Sequence, residues 1–246
     1  MSEDKNMPVK KKRKGKVDGT SASSGGDVQA FLDKVNSLTP LAISKSRGRL
    51  IFAMDATMSR QPTWDLALGT QADMFREVKS IGGLDVQLVY FRGFRECAAS
   101  KWVDDPETLA DLMTGVQCQG GHTQIRKVLL HARRETEKER VGAMVYVGDC
   151  MEENLDDLAE QAGILGLLGV PVFLFQEGVD SKAETAFREL ARLTHGAYCR
   201  FDAGSANQLR DLLSAVAVYA AGGHKALVDL SRSKGESVKA LLEQLE

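Results

Sequence analysis

From Arg49 onward the chain switches hydrophobic period again and again. "RLIFAMD" (residues 49–55), "LDVQLVYF" (84–91), "GAMVYVGD" (142–149), "VPVFLF" (170–175) and "AYCRFD" (197–202) are short apolar runs of strand length. Between them lie segments with apolar residues at helical spacing. Pro62 can open the first, in which Trp64, Leu68, Ala72, Phe75 and Val78 share a face before Gly82 and Gly83 end it. The others are "DDPETLADLMTGV" (104–116), "QIRKVLLHARRETEKE" (124–139), "NLDDLAEQAGILGLLG" (154–169), "KAETAFRELARLTHG" (182–196) and "SANQLRDLLSAVAVYAAGG" (205–223). A strand that is apolar along its whole length must be covered on both faces. Strands alternating with helices supply that cover as a parallel, doubly wound sheet. The fold class expected is therefore α/β: a mostly parallel sheet flanked by helices, with "GFRECAASKWV" (93–103) as one short edge strand.

The rest of the 246 residues divides by composition. Residues 1–26 are Lys-rich, then Ser/Gly-rich, and have almost nothing to bury; they read as a disordered basic tail. Of the chain's 32 basic and 34 acidic residues, positions 1–17 take 7 and 2, which leaves 25 against 32 and an acidic body. The cluster Lys10, Lys11, Lys12, Arg13 and Lys14 resembles a nuclear import signal or a nucleic-acid-binding arm; a solubilising tail is the plain alternative. Residues 27–47 read as an N-terminal helix and linker, with Asp27 as N-cap and Val28, Phe31, Leu32, Val35 and Leu38 on one face. The main domain spans 48–223, and 224–246 reads as a C-terminal helical extension. There is no run of about 18 apolar residues, so no membrane partner is expected. The N-terminus shows no secretory pattern, and four scattered cysteines without a CxxC pair suit a reducing cytoplasm.

The chemistry lies in three separated segments. In open α/β sheets, ligands bind beyond the carboxyl ends of the strands, where the strand order reverses. "IFAMD" ends at Asp55 and is followed by Thr57 and Ser59; "VYVGD" ends at Asp149; "GGHT" places Thr123 on a glycine-rich turn at a helix start. If the two strands are neighbours, Asp55, Thr57, Ser59, Thr123 and Asp149 meet at one edge. Carboxylates and hydroxyls with no nitrogen or sulfur donor describe a site for a hard cation such as Mg²⁺. A capping role for Thr57 and Ser59, with Asp55 bonding loop amides, is the structural alternative.

These three segments resemble the metal-ion-dependent adhesion site (MIDAS) of von Willebrand factor type A domains, over about residues 48–222. The resemblance implies Thr57, Ser59 and Thr123 as near ligands of Mg²⁺ or Mn²⁺, with Asp55 and Asp149 acting through bound water. It implies an open metal position filled by a carboxylate from a partner protein, and hence an adaptor or assembly module that binds rather than catalyses. Intracellular relatives often work beside ring-shaped ATPase chaperones or in ribonucleoprotein particles. This chain departs from the pattern in having Thr57 where serine is commoner, His122 between the glycines and Thr123, and Cys150 after Asp149 in place of glycine. Glu152 and Glu153 add negative charge close by.

Other readings remain beside this one. Cys150 with His122 could form a nucleophile and its base in a cysteine hydrolase; a buried structural thiol is the alternative. "YFRGFR" (90–95) could stack on nucleic acid or simply be an edge-strand turn. Arg60 could guide a partner carboxylate or extend into solvent. The phosphate-binding patterns GxxxxGK[ST] and GxGxxG are absent after the first strand, as is the DxDx[TV] of aspartyl phosphohydrolases.

Overall fold

The strands of the computed structural model form one six-stranded sheet, ordered β3-β2-β1-β4-β5-β6. They are β1 (Gly48–Asp55), β2 (Leu84–Arg92), β3 (Glu96–Ala99), β4 (Ala143–Gly148), β5 (Val172–Glu177) and β6 (Ala197–Phe201). Every pairing is parallel except that of β2 with the short edge strand β3. Among the described residues the sheet is flanked by α1 (Pro106–Thr114), α2 (Ile125–Lys138), α3 (Leu155–Leu167), α4 (Ser181–Leu193) and α5, residues 214–221. The structure describes residues 47–60, 83–201 and 214–221, together with Ala30, Asp33 and Lys34, which are helical. The basic tail, the helix expected after Pro62, the Gly222–Gly223 cap and the C-terminal extension lie outside the described residues.

The doubly wound arrangement follows from side-chain alternation along β1. Leu50, Phe52 and Met54 enter one core layer with Leu109 and Met113 of α1 and Val216–Ala220 of α5. Ile51 and Ala53 enter the other, with Ile125, Val128 and Leu129 of α2, Leu158 and Leu165 of α3, and Phe187 and Leu190 of α4. Both faces of β1 are thus dry, as its unbroken apolar run requires. The helix starts use ordinary caps: Asp105, Asn154 and Asp180 each accept from backbone amides of the first turn. Among the described residues no helix is long and apolar enough to cross a membrane.

The chain passes from β1 to β2 on one side and returns from β3 to β4 on the other side of β1. β2 lies on one side of β1 and β4 on the other, so the strand order reverses between β1 and β4. Met54 pairs with Val147 across that junction, which brings Asp55 and Asp149 to the same sheet edge. The adjacency on which the sequence argument depended is therefore present.

Candidate metal centre

Asp55 is the last residue of β1 and is fully buried. Its Oδ1 accepts the Thr57 N–H at 2.7 Å, an Asx-type bond that turns the chain out of the strand. Its Oδ2 is buried and has no hydrogen-bond partner. The chain then enters a 3-10 turn, Met58–Arg60, that sets the Thr57 and Ser59 hydroxyls 3.1 Å apart. Thr57 is buried and Ser59 exposed, so the pair reaches from the carboxylate towards the surface.

Across the junction, Asp149 follows the end of β4, and its Oδ1 is likewise buried without a partner. Asp55, Asp149 and Cys150 each offer a ligand atom, and these atoms all lie within 4.8 Å of one another. Burial, with the Asp149 carboxylate as a smaller contribution, raises the Asp55 carboxyl to about 6, against the opposing bonds from Thr57 and the Arg60 charge. Burial also pushes the Cys150 thiol well up, reinforced by the Asp149 and Asp55 carboxylates. Two acids with bare oxygens in one dry place are costly unless a proton or a cation joins them. The residues present therefore fit a divalent cation.

Thr123 is tied to the segment after Asp149 rather than to the two aspartates themselves. It lies in the loop ahead of α2 rather than in the helix, which begins at Ile125 after the N-cap Gln124. Gly121 lets that loop approach the β2–β3 turn: a Cβ there would lie 1.9 Å from the Gly93 carbonyl oxygen. Thr123 is buried, its Oγ1 accepts the Glu152 N–H at 3.1 Å, and its own N–H donates to Glu152 Oε2 at 3.0 Å. Glu153 accepts from the amides of Ile125 and Arg126 at the start of α2. The two glutamates thus fasten the Thr123 loop to the segment after Asp149, a capping job rather than loose charge at a metal site.

Two residues sit differently from their sequence readings, and one segment follows the plainer of its two. Arg60 does not extend into solvent; it is fully buried and ion-paired with Glu177 of β5. His122 is exposed, pairs through Nδ1 with Glu152 at 3.1 Å and stands edge-on to Phe94. "YFRGFR" is the end of β2 and the tight turn into β3, the plainer of its two readings, with Phe94 71% exposed at its tip.

Sequence reasoning missed Tyr146. Its hydroxyl is buried without a partner, and the ring packs between Phe91 and Phe187 beneath the site. Burial raises this phenol well above its ordinary value, with Asp55 the next contribution. The available signal was Gly148, two residues on along the same strand face, where a Cβ would lie 2.6 Å from that hydroxyl.

No family model and no curated protein matches this sequence. Solved structures do match. A von Willebrand factor type A structure from Catenulispora acidiphila aligns with a TM-score of 0.55 at 15% identity, over 69% of this chain and 42% of that one. Proximal thread matrix protein 1 from the mussel byssus, with a zinc-occupied MIDAS motif, aligns with a TM-score of 0.58 at 15% identity, over 70% and 46%. The SpRpn10 VWA domain aligns with a TM-score of 0.55 at 12% identity, over 68% and 94%. This chain thus spans less than half of the first two and nearly all of the third. The strand order, the switch-point aspartates and these likenesses lead to one conclusion: the chain has the von Willebrand factor type A fold.

Proposed function

We propose that this protein is a divalent-cation-dependent protein-binding module, an adaptor or assembly component that binds rather than catalyses. One observation carries the reading. Asp55 Oδ2 and Asp149 Oδ1 are buried, lack partners, and belong to residues grouped at the switch point of the sheet. In this reading Asp55, Thr57, Ser59, Thr123 and Asp149 hold the ion, and their oxygen donors alone suit Mg²⁺ or Mn²⁺. The bound cation supplies an electrophilic point for a carboxylate from a partner protein. The chain's own residues fix the position: the Asx turn aims Asp55 and the Thr57–Ser59 pair, and the Glu152 clasp holds Thr123.

A cysteine hydrolase is the weaker reading. It needs a thiolate, and burial with two neighbouring carboxylates favours the Cys150 thiol instead. Its base, His122, is exposed and, among the described residues, makes no hydrogen bond to Cys150. Nucleic-acid binding would fall to Lys10–Lys14, outside the described residues. We propose a cytoplasmic location, a reducing compartment that would keep Cys97, Cys118, Cys150 and Cys199 as thiols; none of the four is in a disulfide.

The test is calorimetry followed by partner capture. Wild type should bind Mg²⁺ or Mn²⁺, and Asp55→Ala should abolish binding while remaining folded by circular dichroism. Partners retained with the ion should be released by a chelator. Absence of any divalent-ion binding at millimolar concentration would end this reading.

A further inference from the structure

Cys150 stands where the resembled motif has glycine, and it is neither remote from the carboxylates nor sealed in the core. Its side chain is half-buried and its sulfur lies within 4.8 Å of a carboxylate oxygen of Asp149. The ligand atoms of Asp55, Asp149 and Cys150 lie within 4.8 Å of one another, about the diameter of one coordination sphere. A cysteine alone would mean little. The independent observation is Asp55 Oδ2, on a residue with no exposed surface, unpartnered and belonging to that same trio. A buried carboxylate with a bare oxygen asks for a cation, and the sulfur lies near enough to that carboxylate to share it.

We infer that Cys150 is a metal ligand, and that with Asp55 and Asp149 it makes this site selective for a borderline, thiophilic divalent cation of the Zn²⁺ class over Mg²⁺. The inference rests on the metal-dependent reading above and specifies its cation. Softness decides the direction. Mg²⁺ binds oxygen and gains nothing from sulfur, whereas Zn²⁺ binds thiolate and carboxylate together. On binding, the thiol gives its proton to solvent, a metal–sulfur bond forms, and no electron is transferred. Zn²⁺ generally outcompetes Mg²⁺ at any such site, so a plain preference for zinc proves nothing. What distinguishes the inference is how that preference depends on one sulfur atom.

The experiment uses the full chain with Co²⁺, Zn²⁺ and Mg²⁺ as probes, in wild type and Cys150→Ser. Serine keeps the size of the side chain at a half-buried position, and circular dichroism and melting without metal check that the variant folds. Wild type with Co²⁺ should show a near-ultraviolet sulfur-to-metal charge-transfer band that Cys150→Ser lacks. Zn²⁺ affinity should fall at least about tenfold in the variant while Mg²⁺ affinity stays unchanged. A cobalt band that survives in Cys150→Ser, or equal Zn²⁺ affinities, overturns the inference and leaves the metal-dependent reading standing. Should neither protein bind any divalent ion, both fall. Should Cys150→Ser not fold, Cys150→Ala is measured against the same two outcomes.

Discussion

Thr123 and Glu152 hold each other by two reciprocal hydrogen bonds. The Glu152 amide donates to the Thr123 hydroxyl at 3.1 Å, and the Thr123 amide donates to the Glu152 carboxylate at 3.0 Å. The residues are 29 apart in sequence, yet this clasp closes the loop after Gly121 onto the segment after Asp149. Glu152 thereby acts on the site through Thr123, as a positioning residue. Glu152→Ala should lower divalent-ion affinity by roughly tenfold, the scale typical of lost outer-shell support. The same variant should keep its far-ultraviolet spectrum. Glu152→Gln, which preserves an acceptor for the Thr123 amide, should recover most of the affinity. Equal loss in both variants would mean that charge, not the clasp, matters.

Asp55 gives a pH dependence with a definite sign. Its carboxyl is raised from 3.8 to about 6 in the folded chain, chiefly by burial. The folded state therefore binds the proton more tightly than the unfolded state. Stability without metal is greatest below about pH 4 for this group and is lost as pH rises through about 6. The loss by neutral pH is on the order of 3 kcal/mol. Asp55→Asn should remove this dependence and raise the melting temperature of the metal-free protein at pH 7.5. A divalent ion competes with the proton, so its affinity should increase with pH through the same interval. Denaturant titrations of wild type and Asp55→Asn at pH 5 and pH 7.5, with chelator, measure the difference. A more stable wild type at pH 7.5 would contradict the assignment.

Far from this edge, Glu135 offers a contrast. It is buried on α2 and accepts from Trp102 Nε1 at 2.9 Å and Lys138 Nζ at 2.6 Å, with Arg49 Nη2 at 3.4 Å. The Arg49 guanidinium also stacks on the Trp102 ring, 3.8 Å from its centroid. Removing one member of such a buried network leaves charge poorly compensated. Glu135→Ala should destabilise the fold by on the order of 3 kcal/mol. Metal affinity of the folded fraction should not change, because Arg49 lies near the start of β1 and the site lies at its other end. A loss of metal binding that exceeds the loss of folded protein would argue against this separation.

How much of this was legible in the sequence depended on the range of the interaction. The central strands and the helices between them follow from local period and length, as the short apolar run "LIFAM" in β1 illustrates; the edge strand β3 and the 3-10 turn Met58–Arg60 do not. The meeting of Asp55 and Asp149 was legible too, because strand ends at a switch point converge by topology. Local pattern failed where a polar residue's partner lies far along the chain. Arg60 reads as a surface cation because it follows Ser59 in a polar turn, but its partner Glu177 is 117 residues away. Glu152 and Glu153 read as site charge for the same reason; only the packing of α2 against the loop after β4 makes them caps. Cys150 read as a core thiol because burial is the usual fate of that residue type, and its closeness to two carboxylates is a property of three dimensions.

Gly121 permits the sharpest test of the loop itself. The space where its Cβ would lie is filled by the Gly93 carbonyl oxygen, 1.9 Å away, and by the Gly93 Cα, 2.5 Å away. Backbone cannot swing aside as a side chain can, so Gly121→Ala must push the "GGHT" loop and the β2–β3 turn apart. The neighbouring bond from the His122 N–H to the Gly93 carbonyl, 3.2 Å long, should break with it. Thr123, bonded to Glu152 after Asp149, then shifts although no donor has been deleted. Gly120 faces open space, with nothing within 4 Å of its would-be Cβ, so Gly120→Ala is the matched control. Gly121→Ala should lose some 1–3 kcal/mol of stability by overpacking. It should also weaken divalent-ion binding at least tenfold, about the effect of losing one supporting contact. Gly120→Ala should do neither. Calorimetric titration of the two variants with the same ion decides the matter: equal affinities would show that the placement of Thr123 is irrelevant to the metal, and the ligand set would then reduce to the residues around Asp55 and Asp149.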